Sequence, residues 1–425
     1  MDAVRIEPGI GDLVEKEVEL GDLLVSYLEQ LGVEYVFGIP GGAIEPLYNA
    51  LARSERRGGP RAIVARHETG AAFMADGYAR NSGKLGVCCA TTGPGATNMI
   101  TGVASAYENN VPMLVITAQT ALSTFGRGAF QESSCTGINT VGLFEYCTRY
   151  NTLVSHVAQF ENKLSSAIMT AFQSPAGPVH ISVPLDVMRA KWAAKAPSYD
   201  LGNLLDKPSL VDDVAVASFY DDLIKASKPV FLIGDEASEA VGSILSLAVD
   251  LDAKLLVTPQ GKGLVSPYHP LFRGVIGFAG HKSARDLLSD PDVDLVVAVG
   301  TSLGEWASDG WDTVSLLTKR LIHVESSEGN FTRTPMAKLH VRGHLPSIFE
   351  KLVKRYESDP KVKIKAVIDG AINEASSSDG KPQYHFVLDD LKGYLSDATP
   401  IKPQRLMKEL SEIFPPNTHY LADTG

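Results

Sequence analysis

A chain of 425 residues with 44% hydrophobic and 21% charged residues has the balance of a soluble globular protein and length for two or three domains. A net charge of -11 without a basic stripe argues against a nucleic-acid partner. No apolar run approaches the roughly 20 residues of a spanning helix, and the acidic start lacks the basic-then-apolar signature of a signal peptide, so no membrane partner is expected and the location reads as cytoplasmic. Cys88, Cys89, Cys135 and Cys147 have no metal-ligand spacing and read as reduced thiols.

An acidic arm runs to about Leu20, where Leu20, Leu23, Leu24, Tyr27, Leu28 and Leu31 fall on one face of a helix closed by Gly32. Strand 33–37 leads into the turn Gly38-Ile-Pro-Gly-Gly42 and a helix over 43–51. The alternation continues through strand 61–66, a helix from Glu68, strand 85–90, the turn Gly93-Pro-Gly95, helix 96–108 and strand 113–117. After a long loop come helix 159–173 and strand 179–183. This order predicts a doubly wound α/β domain over 1–190, with a parallel sheet covered on both faces. Ligands bind such sheets beyond the carboxyl ends of the strands, so the glycine turns, Glu68 and the 119–140 loop converge on one rim.

A Pro- and Asp-containing stretch precedes a second α/β domain over 210–356, with strands at 229–233, 254–257, 293–299 and 321–324. Residues 357–400 read as a linker, although 386–395 has helical character. An amphipathic helix over 403–414 and a strand over 419–423 open what reads as a third α/β domain over 401–425, begun and not completed. The chain therefore reads as a fragment, or as a protein ending at Gly425.

Glu68 stands where a strand gives way to a helix carrying Gly70, Ala71, Ala72, Ala75, Gly77 and Ala79. Two glycines in a helix cost about 1 kcal/mol each relative to alanine and need a packing reason. A face of small residues lets another backbone or a flat ligand come close. The plain alternative is an N-terminal glutamate stabilised by the helix dipole.

The motifs Gly38-Ile-Pro-Gly-Gly42, Arg66-His-Glu-Thr-Gly-Ala-Ala72 with Asp76-Gly-Tyr-Ala-Arg80, Thr92-Gly-Pro-Gly-Ala-Thr-Asn98, Ala129-Phe-Gln-Glu132 and Gly177-Pro-Val-His-Ile-Ser-Val-Pro-Leu-Asp186 occur in this order. Together they resemble thiamine-diphosphate enzymes of the acetolactate synthase branch. Lys228-Pro229, Gly261-Lys-Gly263, His269-Pro270 and Val299-Gly300 extend the resemblance through the family's middle domain. It implies a pyrimidine-binding domain, a middle domain and the opening of a diphosphate-binding domain.

By this resemblance Glu68 would hydrogen-bond the ring nitrogen of the cofactor's aminopyrimidine as its acid/base partner, and the thiazolium would serve as electron sink while a 2-oxo acid loses carbon dioxide. Pro40, Gly41, Gly42, Thr91, Pro94, Asn98 and Gln131 would line the cofactor pocket, with Phe130 in the substrate-pocket wall. Gln131 also reads as a solvated loop amide. The family's Mg²⁺ is held by a Gly-Asp-Gly…Asn element downstream of the last strand here, so no metal ligands are expected in this chain, which alone is expected to be inactive. The implied reaction is decarboxylating carboligation of 2-oxo acids. The alternatives are a decarboxylase of the same fold, or a non-catalytic interaction protein should the chain end at Gly425.

The resemblance also implies a homodimer or homotetramer, with the small-residue faces of helix 68–80 and of the helix after Gly95 as a close interface between subunits. Biosynthetic acetolactate synthases carry FAD in the middle domain, where an Arg- and Asp-rich segment follows the glycine equivalent to Gly300. Here Leu303-Gly-Glu-Trp306-Ala-Ser-Asp-Gly-Trp311 follows instead, which weighs against FAD. His281, His323 and His344 read as structural, and Asp76 with Arg80 as an i,i+4 pair one helical turn apart.

Overall fold

The apolar runs become two six-stranded, all-parallel sheets in a computed structural model that describes residues 18–192, 196–206, 210–360, 384–415, 418 and 420. The chain divides into two units, Met1–Pro208 and Ser209–Gly425, each built on one of these sheets. The acidic arm and the strand expected over 419–423 lie outside the described residues, apart from the arm's last residues and Tyr420.

The first unit contains β1 (Val18–Glu19), β2 (Tyr35–Gly38), β3 (Arg61–Val64) and β4 (Gly86–Ala90). It continues with β5 (Met113–Gln119), β6 (Tyr150–Leu153), β7 (Pro178–Pro184) and β8 (Lys191–Trp192). The main sheet has the order β3-β2-β4-β5-β7-β6, and β1 pairs antiparallel with β8 beside it. Every residue of β4, β5 and β7 is buried, which is why these strands read as unbroken apolar runs.

One face of the sheet is covered by helix Leu20–Gln30, whose Leu20, Leu23, Leu24, Tyr27 and Leu28 all enter the core. Burying each such leucine contributes about 1.5–3 kcal/mol, and Leu24→Ala would cost about 2–5 kcal/mol. Helix Glu68–Ser82 lies on the opposite face, where Ala71, Ala72, Ala75 and Ala79 join a cluster with Val103, Ala106 and Met113. Its N-cap is His67, whose Nδ1 accepts from the Thr69 amide at 3.2 Å, and it ends at Gly83 with φ +70°. The Asp76–Arg80 pair forms as expected, Arg80 Nε lying 2.8 Å from Asp76 Oδ2.

One expectation for this region needs correction. The helix expected over 96–108 starts at Pro94 and is interrupted at Met99, giving helices Pro94–Asn98 and Ile100–Glu108. The Met99 amide bonds the Ala96 carbonyl, a tighter turn than the α-helix allows, while the Asn98 carbonyl accepts from the Thr69 hydroxyl. Part of the small-residue faces of these helices packs inside the unit. A Cβ on Gly102 would lie 2.6 Å from the Ala72 Cβ, so these glycine and alanine faces bring two neighbouring helices together.

The second unit has β9 (Pro229–Ile233), β10 (Lys254–Val257), β11 (Phe272–Val275), β12 (Leu295–Val299), β13 (Leu321–Glu325) and β14 (Leu339–Arg342). Their order is β11-β10-β9-β12-β13-β14, the doubly wound arrangement that reverses beside its first strand. Within the stretch read as a linker, Phe386 packs edge-on against Phe272 and His281, Tyr384 stacks on Tyr268, and Asp389 accepts from the Lys282 amide. Within 386–395, the part with helical character, the helix formed is Leu391–Tyr394. Helix Pro403–Ile413 forms, with none of its residues buried.

The three histidines read as structural have protein partners. His323 is buried between the Thr301 carbonyl and the Thr334 hydroxyl, His281 Nδ1 accepts from the Val275 amide, and His344 meets Ser347. Among the described residues no three His, Cys, Asp or Glu side chains are gathered as a metal-binding set. No helix among them is long and apolar enough to cross a membrane.

Candidate cofactor site

Strands β3, β2, β4 and β5 are successive neighbours in the sheet, so the segments leaving their carboxyl ends share one rim. These segments are the Pro40–Gly42 turn, the start of helix Glu68–Ser82, the Thr91–Asn98 turn and the loop after Gln119. The rim expected from the alternating pattern is therefore assembled.

At its centre, Glu68 Oε2 accepts a hydrogen bond from Asn98 Nδ2 at 3.0 Å, and the Thr69 hydroxyl donates to the Asn98 carbonyl. Asn98 thus closes the helix start onto the glycine turn through both its amide and its backbone. Glu68 is half-buried, and its Oε1 receives no hydrogen bond from the described residues. That oxygen lies 3.4 Å from where a Cβ on Gly95 would stand.

Thr91 is wedged between two glycines. A Cβ on Gly41 would stand 2.7 Å from the Thr91 Cβ, and one on Gly95 would stand 2.8 Å from its Cγ2. Both turns can approach β4 only because neither has a side chain. Gly42 differs, because a Cβ there would meet nothing within 4 Å. Pro40, Gly42 and Pro94 are exposed around this opening, while Gly41, Thr91 and Asn98 are half-buried.

Gln131 is brought to the same rim by a loop with its own anchors. It lies against Gly93, where a Cβ would come within 3.1 Å of the Gln131 Cβ, and its φ is +58°. Few residues other than glycine adopt this left-handed conformation. The Thr92 hydroxyl donates to the Gln131 carbonyl at 3.0 Å and meets Ser133 Oγ at 2.6 Å. Glu132 gathers the rest of the loop by accepting from the Gly126 amide, Ser134 Oγ and Thr136 Oγ1, and these donors hold its carboxyl down to about 2. Phe130, expected in a pocket wall, is 87% exposed at this loop and encloses nothing within the single chain.

Thr69, Thr92, Ser133 and Gln119 belong to the rim and were not singled out from the sequence. Their roles depend on hydrogen bonds between segments far apart in the chain; the Thr-Thr-Gly run at 91–93 is the one local cue. A cavity of about 690 Å³ opens elsewhere, at the amino ends of β2 and β3, lined by Glu29, Tyr35, Arg57 and Arg61 among others. Its charges are already matched, Arg57 to Glu29 at 2.6 Å and Arg61 to Glu55 at 3.3 Å. It lies at the rim opposite to the one where parallel sheets take ligands.

A glutamate with one fixed and one open oxygen, on a rim that also carries a glycine facing open space, suits a flat heterocycle with a ring nitrogen. Comparison with known proteins agrees. Residues 18–138 match the thiamine pyrophosphate enzyme N-terminal TPP binding domain, and residues 216–352 match the thiamine pyrophosphate enzyme central domain. The chain belongs to the thiamine pyrophosphate enzyme family.

Within that family it is similar to acetolactate synthases. It is 30% identical over 348 residues to the acetolactate synthase isozyme 1 large subunit of Escherichia coli, covering 80% of this chain and 58% of that protein. It is 31% identical over 407 residues to the probable acetolactate synthase large subunit of Methanococcus aeolicus, covering 92% and 64%. The acetolactate synthase large subunit of Lactococcus lactis is 34% identical over 282 residues, covering 66% and 48%. The chain thus spans less than two thirds of the length of these relatives.

Proposed function

We propose that this chain carries the pyrimidine-binding and middle domains of a thiamine-diphosphate enzyme that joins 2-oxo acids with loss of carbon dioxide, forming an acetohydroxy acid from pyruvate or a related donor. The observation that carries this reading is the Glu68–Asn98 pair, with Glu68 Oε1 left open at the head of a helix near Gly95. The relatives named acetolactate synthase support the reaction class.

The rim residues suit the pyrimidine end of the cofactor. Glu68 would hold a proton at the pyrimidine ring nitrogen through Oε1 while Asn98 fixes Oε2. The absence of a side chain at Gly42 would let the ring lie close to the backbone, and the Thr91 wedge would set the width between the Gly41 and Gly95 turns. When bound, the cofactor supplies the electron sink for decarboxylation. Gln131 would line the cofactor pocket, and the exposed Phe130 would meet the substrate side. Mg²⁺ is assigned to a diphosphate-binding half, and FAD forms no part of the proposal.

We assign the assembly to a homodimer or homotetramer and the location to the cytoplasm. The relevant face of helix Glu68–Ser82 is its outer one, where Gly70 and Gly77 face open space and Phe73 and Met74 are 43% and 44% exposed.

The test supplies a version of the protein that includes a diphosphate-binding half with thiamine diphosphate, Mg²⁺ and pyruvate, and follows both pyruvate loss and product. Acetolactate is expected, and Glu68→Gln should lower turnover roughly 10²–10⁴-fold, the range for a general acid/base group. Acetaldehyde as the only product would favour the decarboxylase reading, and unchanged turnover in the variant would remove Glu68 from the chemistry.

A further inference from the structure

The loop carrying Gln131 is joined to the Gly93 turn by a buried polar hub. Thr92, Ser133 and Gln119 are 3%, 0% and 1% exposed. Ser133 Oγ lies 2.6 Å from Thr92 Oγ1, accepts from the Gly93 amide at 3.3 Å, and meets Gln119 Oε1 at 2.9 Å. Gln119 Nε2 donates to the Ser133 carbonyl at 2.9 Å, and the Thr92 hydroxyl donates to the Gln131 carbonyl at 3.0 Å. A continuous chain of hydrogen bonds therefore runs from the end of β5 to the backbone of Gln131.

The proton inventory of this hub is tight. Thr92 and Ser133 have one hydroxyl proton each, while three contacts call for one: the bond between them, the Gln131 carbonyl and Gln119 Oε1. If Ser133 donates to Thr92, the Thr92 proton is available to the Gln131 carbonyl. If Thr92 donates to Ser133, the Ser133 proton goes to Gln119. The hub thus couples the hold on Gln131 to the hold on the strand end.

We propose that Thr92 and Ser133 are positioning residues, which lock Gln131 in its left-handed conformation against the Gly93 turn so that the loop and the turn present one fixed wall to the pocket. A glutamine keeps a left-handed backbone only when its surroundings hold it there. The Thr92 bond to its carbonyl and the contact across Gly93 are two such restraints, and Gly93 itself has φ +66°. The nearby clasp of Glu132 closes the loop upon itself, whereas the hub attaches the loop to the sheet. The proposal rests on the reading of this rim as a thiamine-diphosphate pocket.

Its test uses Thr92→Val, which keeps the shape and removes the hydroxyl, Thr92→Ser, which restores the hydroxyl, and Ser133→Ala. Loop attachment is read without any cofactor, as the rate of trypsin cleavage after the exposed Arg127 in the intact chain, with cleavage after Lys225 in the second unit as control. Pocket order is read as the thiamine diphosphate concentration that half-saturates a version of the protein including a diphosphate-binding half, in excess Mg²⁺.

Thr92→Val and Ser133→Ala should each raise both the Arg127 rate and the half-saturating concentration about tenfold, the effect of a lost buried hydrogen bond. Lys225 cleavage should hold, the melting temperature should fall by no more than a few degrees, as for one lost buried hydrogen bond, and Thr92→Ser should behave as wild type. Wild-type Arg127 cleavage in Thr92→Val, or a Thr92→Ser as impaired as Thr92→Val, would overturn the proposal. If Ser133→Ala fails to fold, the Val and Ser pair at position 92 decides it. A wild-type protein that takes up no thiamine diphosphate refutes the pocket reading, and the Arg127 rates then decide alone whether the hub holds the loop.

Discussion

Asn98 reaches back 30 residues to donate its side-chain amide to Glu68 Oε2, while the hydroxyl of the next residue, Thr69, holds the Asn98 carbonyl. The glycine turn and the helix start are therefore fastened at one residue. Fixing Oε2 leaves Glu68 one free oxygen with a defined direction, which a positioned acid/base group requires.

Asn98→Asp should replace this hydrogen bond with two facing carboxylates. At neutral pH the first unit should lose about 1–3 kcal/mol, the cost of a lost partner at a partly buried polar group. At pH 4 much of that loss should return as one carboxyl gains a proton and can donate to the other. Denaturant unfolding at both pH values checks this, and an equal loss at both would show that repulsion is not the cause.

The two glycines of the first turn should respond oppositely to alanine. Gly41→Ala puts a Cβ 2.7 Å from the Thr91 Cβ and should destabilise the unit by about 1–3 kcal/mol through overpacking. Gly42→Ala meets nothing within 4 Å, so its melting temperature should stay near wild type while thiamine diphosphate uptake weakens. Calorimetry of melting and of binding separates the two effects.

His180 gives the first unit an acid limit. It is fully buried, stacks on Phe144 and bonds Thr117 and Asn151, and burial pushes its pKa down to about 3. The unfolded chain takes up the proton near pH 6.5, so stability falls progressively as pH drops from about 6.5 toward 3. His180→Gln should flatten the pH dependence over that interval, even if the variant is less stable at pH 7. A slope identical to wild type would remove His180 as its source.

The second unit has a limit of opposite sign. Glu325 is fully buried at the end of β13, and burial together with the nearby Glu236 charge raises its pKa to about 8. The Ser326 and Ser327 amides donate to its Oε1 and oppose the shift without cancelling it. Because the folded value lies above the unfolded one, its contribution is fully present below about pH 4 and is lost as pH rises toward 8. Glu325→Gln should therefore stabilise this unit most at pH 8 and least at pH 4, which urea titrations across that range measure directly.

The legible part of the fold was its interior. β2, β4, β5, β7, β9, β10, β12 and β13 announced themselves as apolar runs because both their faces are covered. The strands that escaped notice, β1, β6, β8, β11 and β14, all lie at sheet edges. Half-exposed positions there admit Tyr150, Asn151, Arg273, His340 and Arg342, and the apolar signal is diluted.

In the candidate site, Glu68, Asn98 and the glycine turns were legible because each belongs to a short motif in register. The Thr92–Ser133–Gln119 hub was not, because hydroxyl and amide side chains give no periodic signal. Its partners also come from three separate segments. The alanine face of helix Glu68–Ser82 was legible as a close contact, but local spacing does not say which neighbour supplies it.

The Gly41–Thr91–Gly95 wedge also constrains how this pocket can change through evolution. A larger residue at either flank meets Thr91 at once, and a smaller residue at 91 leaves both turns without a spacer. Accepted change at any of the three positions should therefore come with compensation at another, so that they vary as a linked set. Gly95→Ala should be tolerated better in a Thr91→Ser background than alone. The pocket's width would then be inherited as a single character, although it is written at three separate places in the chain.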